Sequence, residues 1–292
     1  MSQVKIALIQ SKSGPDPEMN LEKTWHLAGK AAAGGAKIIC LQELYRSRYF
    51  CQEHRHDAFD LAETIPGPST ETFAKLAREK SVVLIVPVFE KRAEGIYHNS
   101  AAVIDAGGKM LGTYRKMHIP DDPHFYEKFY FTPGDLGFKT FITAYAKISV
   151  LICWDQWFPE AARLAALGGA QIIFYPTAIG WHDDETPQAR DAQLTAWRTV
   201  QCGHAAANEV YVAAVNRSGK EGPVTFWGRS FICDPFGTVM AEAGENEETV
   251  LTAVCDLDKI EETRRQWPFF RDRRPDFYQG LTERCLDETP LK

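Results

Sequence analysis

Short, dense apolar runs recur along the whole chain, and stretches of helical periodicity separate them. Residues 4–10, 37–41, 82–89, 100–104, 147–153, 171–175 and 210–216 read as strands, and 226–233, 238–241 and 250–256 continue the series. Between them, 22–34 reads as a helix closed by glycines. Residues 69–80 open on Ser69 and Thr70 and carry Phe73, Leu76 and Ala77 at helical spacing. Residues 190–208 form a longer helical stretch, and the last strand runs into a helix over 258–266. Alternation of this kind restricts the chain to the α/β class, for which a doubly wound sheet is the default. No repeat, low-complexity tract or linker interrupts it. The 292 residues, 45% of them hydrophobic, suffice to bury the core of one large domain over 1–292.

One of the strand-like runs ends in chemistry. An apolar stretch delivers Cys153 to a sharp turn, and Pro159, Glu160 and the alanine-rich residues 161–167 then start a helix. That geometry exposes a thiol at the C-terminal end of a strand, where helix amides and the helix dipole favour thiolate. Taken alone, a cysteine on a strand is more often a small core hydrophobe. Two further strand ends change the balance: residues 36–44 finish in Glu43, and residues 114–120 place Lys116 just after the strand 100–104 and its Gly107-Gly108 turn. Singly, Glu43 would be a solvated loop acid and Lys116 a surface cation beside Arg115.

Together, a Glu, a Lys and a Cys at the ends of three strands resemble the constellation of the nitrilase superfamily of carbon–nitrogen hydrolases. The resemblance runs from residues 4–10 to 270–276. Within that superfamily, residues 48–52, 126–135, 153–163 and 175–180 look like the N-carbamoylputrescine amidohydrolase branch. The resemblance implies an α/β fold of a particular kind: a four-layer α-β-β-α sandwich, two mixed sheets face to face with helices outside. It also implies a homo-oligomer built from dimers, with the tail, about 257–292, in the contacts between subunits. Trp267, Phe269, Phe270 and the arginines at 264–265 and 271–274 suit a docking tail better than a nucleic-acid patch.

The resemblance assigns roles residue by residue. Cys153 attacks the carbonyl carbon, Glu43 takes and returns the proton, and Lys116 stabilises the oxyanion with the Trp154 backbone amide. Glu127 matches a second glutamate that helps to position substrate and triad; otherwise it would be a surface partner of Lys128. No metal or organic cofactor is required. His98 and His118 are tempting bases, but a lone histidine is more often structural, and His54 and His56 lack partner ligands for a metal.

For N-carbamoylputrescine the reaction yields putrescine, ammonia and carbon dioxide through a carbamoyl thioester on Cys153. The free ammonium of such a substrate wants a carboxylate, aromatic faces, or both. Tyr49 and Trp154 are candidate walls, and Asp183, Asp184 or Glu185 candidate acids. Here the chain departs from the branch, which carries a glutamate soon after the glycine at 180 and no Trp181-His182 pair. A solvated helix N-terminus is the competing reading of the acidic run. Two alternatives stay open. An amidase, β-ureidopropionase-like enzyme or nitrilase of the superfamily would want a cation at the far end of the pocket if its substrate ends in a carboxylate. A non-catalytic scaffold of the same fold would have no use for an intact triad.

A net charge of −6 and a pI near 5.8 argue against nucleic acid or an anionic membrane surface as a partner and for a small-molecule substrate. The opening run reads as strand and not as a signal peptide, and no apolar run reaches membrane-spanning length. Seven cysteines, without a C-x-x-C pair, predict reduced thiols in the cytoplasm.

Overall fold

The computed structural model describes residues 3–286, and two mixed six-stranded sheets dominate it. In the first, the order is Thr249–Asp256, Gln3–Gln10, Ile38–Leu41, Val83–Ala93, Ile96–Ile104, Met110–Arg115. In the second it is Val239–Glu242, Phe231–Cys233, Tyr211–Asn216, Ile172–Thr177, Lys147–Val150, Thr140–Ile142. A small three-stranded sheet joins Ser218–Glu221, Val224–Trp227 and Gly180–His182.

Strand alternation decides the layers. Ile6, Leu8, Ile38, Cys40, Val83 and Ile85 share one buried cluster with Ile148, Val150, Ile172 and Val212 of the second sheet. Their neighbours Ala7, Ile9, Ile39, Leu41, Leu84 and Val86 point the other way. They pack on Leu21, Ala28 and Ala31 of helix Pro17–Ala33, and on Phe73, Leu76 and Ala77 of helix Pro68–Lys80. Helices Pro159–Leu167 and Pro187–Asn208 cover the second sheet through Ala161, Ala165, Trp197 and Ala205. The result is the α-β-β-α sandwich and not a doubly wound sheet. Phe73 is fully buried, so Phe73→Ala is expected to cost about 3–5 kcal/mol.

Local chemistry sets the boundaries. The first helix starts five residues before the expected 22, because Asp16 caps it by accepting from the Glu18 and Met19 amides and Pro17 takes the first helical position. The expected strand 226–233 is two strands in different sheets, broken at Gly228 (φ +61°) and Arg229 (φ +54°). A Cβ at Gly228 would meet the Gln10 amide at 2.7 Å and the Gly244 carbonyl at 2.9 Å, so the break needs glycine. The strand Met110–Arg115 was not anticipated. It, and not 100–104, carries Lys116.

Candidate active site

The main sheets bring three strand ends together. Glu43 follows Ile38–Leu41 and Lys116 follows Met110–Arg115, both in the first sheet; Cys153 follows Lys147–Val150 in the second. Glu127 opens a short 3₁₀ turn, Glu127–Phe129. None of the four is more than 4% exposed. Lys116 Nζ donates to Glu43 Oε1 at 2.8 Å and to Glu127 Oε2 at 2.6 Å. Two ionised carboxylates around one ammonium would leave the cluster with a surplus of negative charge, which must be met by other donors. Asn99 Nδ2 supplies one to Glu43 Oε1 at 2.6 Å, and the Tyr49 hydroxyl donates to Glu127 Oε1 at 2.7 Å. Glu43 Oε2 is buried and accepts no hydrogen bond among the described residues.

These neighbours fix the protonation preferences. Burial alone would push the Lys116 ammonium down, but Glu127 and Glu43 outweigh it and hold it well above the ordinary lysine value. Burial, with Glu43 adding to it and Lys116 opposing, pushes the Glu127 carboxyl up. Burial pushes the Cys153 thiol well up, and the Glu43 charge adds to this. The expectation of a helix-stabilised thiolate is therefore corrected. Cys153 opens a 3₁₀ turn, Cys153–Trp157, and the α-helix begins only at Pro159, too far along for its dipole to act on the sulfur. A thiol kept protonated needs a base beside it to become a nucleophile.

Strain and buried polar contacts hold the pieces in place. Cys153 (φ +44°) and Leu44 (φ +48°), the neighbour of Glu43, are both left-handed, a conformation costing roughly 1–2 kcal/mol each in a non-glycine residue. At Leu44 the fully buried Arg217 compensates: its guanidinium donates to the carbonyls of Leu44 at 2.7 Å, Ser47 at 3.0 Å and Glu43 at 3.2 Å, and pairs with Glu221 at 2.7 Å. At Cys153 the anchor is Asp155. One of its oxygens accepts from the Ile152 amide (2.9 Å) and the Tyr114 hydroxyl (2.7 Å), the other from the His118 amide (3.0 Å) and ring (2.7 Å). Asp155 thus ties the cysteine turn to both sides of Lys116. Gln156 accepts from Trp197 at 2.8 Å and Gln201 at 3.3 Å through its side chain, and its carbonyl takes the His204 Nε2 proton at 2.8 Å. Gly134 lets its own loop close on the lysine: its amide donates to the Lys116 carbonyl at 2.8 Å, and a Cβ there would lie 2.1 Å from the Arg115 carbonyl oxygen.

Cys153 opens on a cavity of about 340 Å³, a size suited to a small molecule. Phe125, Trp154 and Trp157 give it aromatic walls, and His182, Gln193, Asp122 and Glu185 give it polar ones. A larger cleft of about 660 Å³, lined by Arg48, Arg55 and Asp57, does not include Cys153.

The carbon-nitrogen hydrolase family model matches residues 5–265. The chain belongs to the carbon–nitrogen hydrolase family. Among its relatives, an N-carbamoylputrescine amidase of Solanum lycopersicum is 48% identical, over 95% of this chain and 94% of that one. A citrullinase of Francisella tularensis is 42% identical, over 97% and 100%. The crystal structure of a carbon-nitrogen hydrolase from Helicobacter pylori G27 superposes with a TM-score of 0.94 at 44% identity, covering 97% of this chain and all of that one. This hydrolase therefore has the nitrilase-superfamily fold and cleaves carbon–nitrogen bonds of small molecules.

Of the site residues expected from sequence, the hydrolase brings Glu43, Lys116, Glu127 and Cys153 into one cluster, and Trp154 lines the cavity. Tyr49 is not a wall of the Cys153 cavity, although it borders the larger cleft. It is buried behind Glu127, packed on Phe125 and Phe226 with its hydroxyl committed to the glutamate. Asp183 faces solvent, paired with Lys220 at 2.8 Å, and Asp184 is exposed; neither lines the cavity. Glu185 does. Its carboxylate accepts from Gln193 Nε2 at 2.8 Å and more weakly from the His182 amide at 3.3 Å. The acidic run ends just before Thr186, which caps the helix starting at Pro187, so Asp183 and Asp184 sit in solvent ahead of that N-terminus. His118 serves Asp155, His98 holds the Thr132 carbonyl at 2.9 Å, and the His54 ring stacks on Phe129. Missing from the sequence reading were Asn99, Asp122, Phe125, Asp155, Gln193 and Arg217. An asparagine inside an apolar strand, next to the histidine that drew attention, was the signal for Asn99.

Proposed function

We propose that this hydrolase cleaves N-carbamoyl amines with a cationic tail, N-carbamoylputrescine above all. The observation that carries the reading is that Cys153, Asp122 and Glu185 line the same small cavity. No arginine or lysine is among the described residues that line it, so a substrate ending in a carboxylate finds no partner there, whereas an ammonium finds acids and aromatic faces.

In the proposed reaction the free oxygen of Glu43 takes the Cys153 proton as the sulfur attacks the carbonyl carbon. The Lys116 ammonium and the Trp154 amide hold the oxyanion. Collapse breaks the bond to the amine nitrogen, which leaves with the proton from Glu43 as free putrescine. The carbamoyl thioester that remains is attacked by water, whose proton passes to Glu43 and on to sulfur. Carbamic acid departs and falls apart into ammonia and carbon dioxide. Glu127 keeps Lys116 charged and placed. Identity to both an N-carbamoylputrescine amidase and a citrullinase supports a ureido substrate in either case.

Ammonia release from N-carbamoylputrescine, citrulline and N-carbamoyl-β-alanine tests the proposal, with Glu185→Gln alongside. The expected result is preference for the cationic amine and a KM raised about tenfold by Glu185→Gln with kcat little changed. Preference for N-carbamoyl-β-alanine would overturn the substrate, and a higher rate with citrulline would move the enzyme to amino-acid ureides. The same proposal places the enzyme in the cytoplasm and in putrescine synthesis. It also places residues 257–286, where Trp267, Phe269, Phe277, Tyr278, Leu281 and Leu286 are exposed, in contacts between subunits of one-domain chains. The remainder of that expected tail, 287–292, lies outside the described residues. Sedimentation of the protein truncated after residue 266 as a monomer, against a larger intact species, is the expected outcome.

A further inference from the structure

All seven cysteines are unpaired, yet two outside the catalytic cluster lie side by side. Cys202 sits on helix Pro187–Asn208 and Cys233 ends the strand Phe231–Cys233; their sulfurs are 3.3 Å apart. Closing that gap to the ~2.05 Å of a disulfide asks for a shift of roughly 1.2 Å. Cys233 is buried and Cys202 half-buried, so a small oxidant can reach one sulfur while its partner waits beneath. The contact with Cys233 and the nearby Arg198 cation, against the cost of burial, lower the Cys202 thiol below the ordinary cysteine value and favour its thiolate. Arg198 itself pairs with Glu242 at 3.1 Å. Cys153 is the reverse case, its thiol pushed up by burial and by Glu43.

We infer that Cys202 and Cys233 are a hydroperoxide-responsive dithiol site, separate from catalysis, that closes to an intramolecular disulfide. The Cys202 thiolate attacks the O–O bond of hydrogen peroxide, giving a sulfenic acid and hydroxide, which takes a proton to become water. The Cys233 sulfur then attacks the sulfenyl sulfur. The S–S bond forms as the hydroxyl leaves with the Cys233 proton as a second water. Two sulfurs lose two electrons in all, and one peroxide is reduced.

The cross-link fastens a helix that matters to the site. Trp197, Gln201 and His204, on the same helix, hold Gln156 in the cysteine turn. Joining residues that far apart in sequence is expected to raise the thermal midpoint by about 5 °C.

The reduced full-length protein is treated with graded hydrogen peroxide, freed of peroxide, unfolded in urea and alkylated with iodoacetamide, and mapped by peptide mass spectrometry. The expected result is loss of two thiols per chain, a linked peptide pair containing Cys202 and Cys233, and Cys153 still alkylated. Dithiothreitol reverses it, and neither Cys202→Ser nor Cys233→Ser gives the pair. Oxidation of Cys153 or Cys285 while Cys202 and Cys233 stay free overturns the site. So does Cys202 reaching the sulfinic acid without linkage, or a link formed only between chains. A linked pair with an unmoved midpoint overturns the anchoring of the helix.

Discussion

The floor and the rim of the cavity are built by opposite rules. The floor here is the buried cluster behind the lining residues: Glu43, Lys116 and Glu127 lie at strand ends or in short turns, with nearly every polar atom committed to a partner. The rim loop from Trp181 to Glu185 is half in water. The Asp183 side chain is 53% exposed, and of this stretch His182 and Glu185 line the cavity. A floor of that kind tolerates one arrangement, because an unpaired buried charge costs several kcal/mol. A rim exchanges residues cheaply. On the proposed function, the chemistry is fixed by the sheets while the choice of substrate is left to a loop, the one in which the sequence departs from the pattern of the branch it resembles.

The contrast can be broken or sharpened by substitution. The largest effect is expected for Cys153→Ala, which should lower turnover by at least about a thousandfold while circular dichroism stays unchanged, since the side chain is small and the turn is held by Asp155. Turnover that survives would remove the floor as the seat of chemistry. Lys116→Met should cost activity and, by leaving two buried carboxylates without their cation, about 3–5 kcal/mol in urea unfolding; a wild-type midpoint would show that water reaches the cluster. Asp155→Asn should lower kcat by about 10–100-fold with KM little moved, because it positions the turn without touching substrate.

A finer test is the pH dependence of Cys153 alkylation in a variant lacking the exposed Cys285. A thiol whose value is raised forms thiolate only at higher pH, so labelling should be slow at neutrality and still climbing beyond the ordinary thiol range. Glu43→Gln removes one of the causes and should move the curve to lower pH. A curve that levels off below the ordinary thiol value would contradict the burial argument. The smallest effects belong to the rim: Asp183→Asn and Asp184→Asn should change kcat/KM less than about twofold, since exposed pairs are worth little.

Much of the floor was legible in the sequence because strand ends are. An apolar run that stops at a single charged residue announces both the strand and the side chain it delivers, which is how Glu43 and Cys153 stand out. Lys116 was found for a partly mistaken reason, since a strand of mixed polarity, Met110–Arg115, lies between it and the run 100–104. Tyr49 was assigned to the cavity because aromatic residues suit a cation, but its place behind Glu127 depends on Phe125 and Phe226, one on a loop and the other on a strand far away in sequence. Arg217 and Asp155 were illegible for the same reason: their partners are backbone atoms and side chains whose proximity only packing creates. The split of 226–233 turned on two left-handed residues, one of them an arginine, and no periodicity reports a backbone sign.

The position of Asp155 carries a further consequence. It sits in the turn after the second sheet's strand Lys147–Val150 but is bound to Tyr114 on, and His118 just past, the first sheet's strand Met110–Arg115, and the proposed base and cation follow strands of that first sheet while the sulfur follows one of the other. In the proposed mechanism the reacting groups meet only while the two halves are docked. Mild heat or denaturant that lets the halves slip, with each sheet and its helices still formed, is enough to silence the enzyme. Loss of turnover should then run ahead of the loss of helicity, and activity becomes the more sensitive gauge of whether the sandwich is closed.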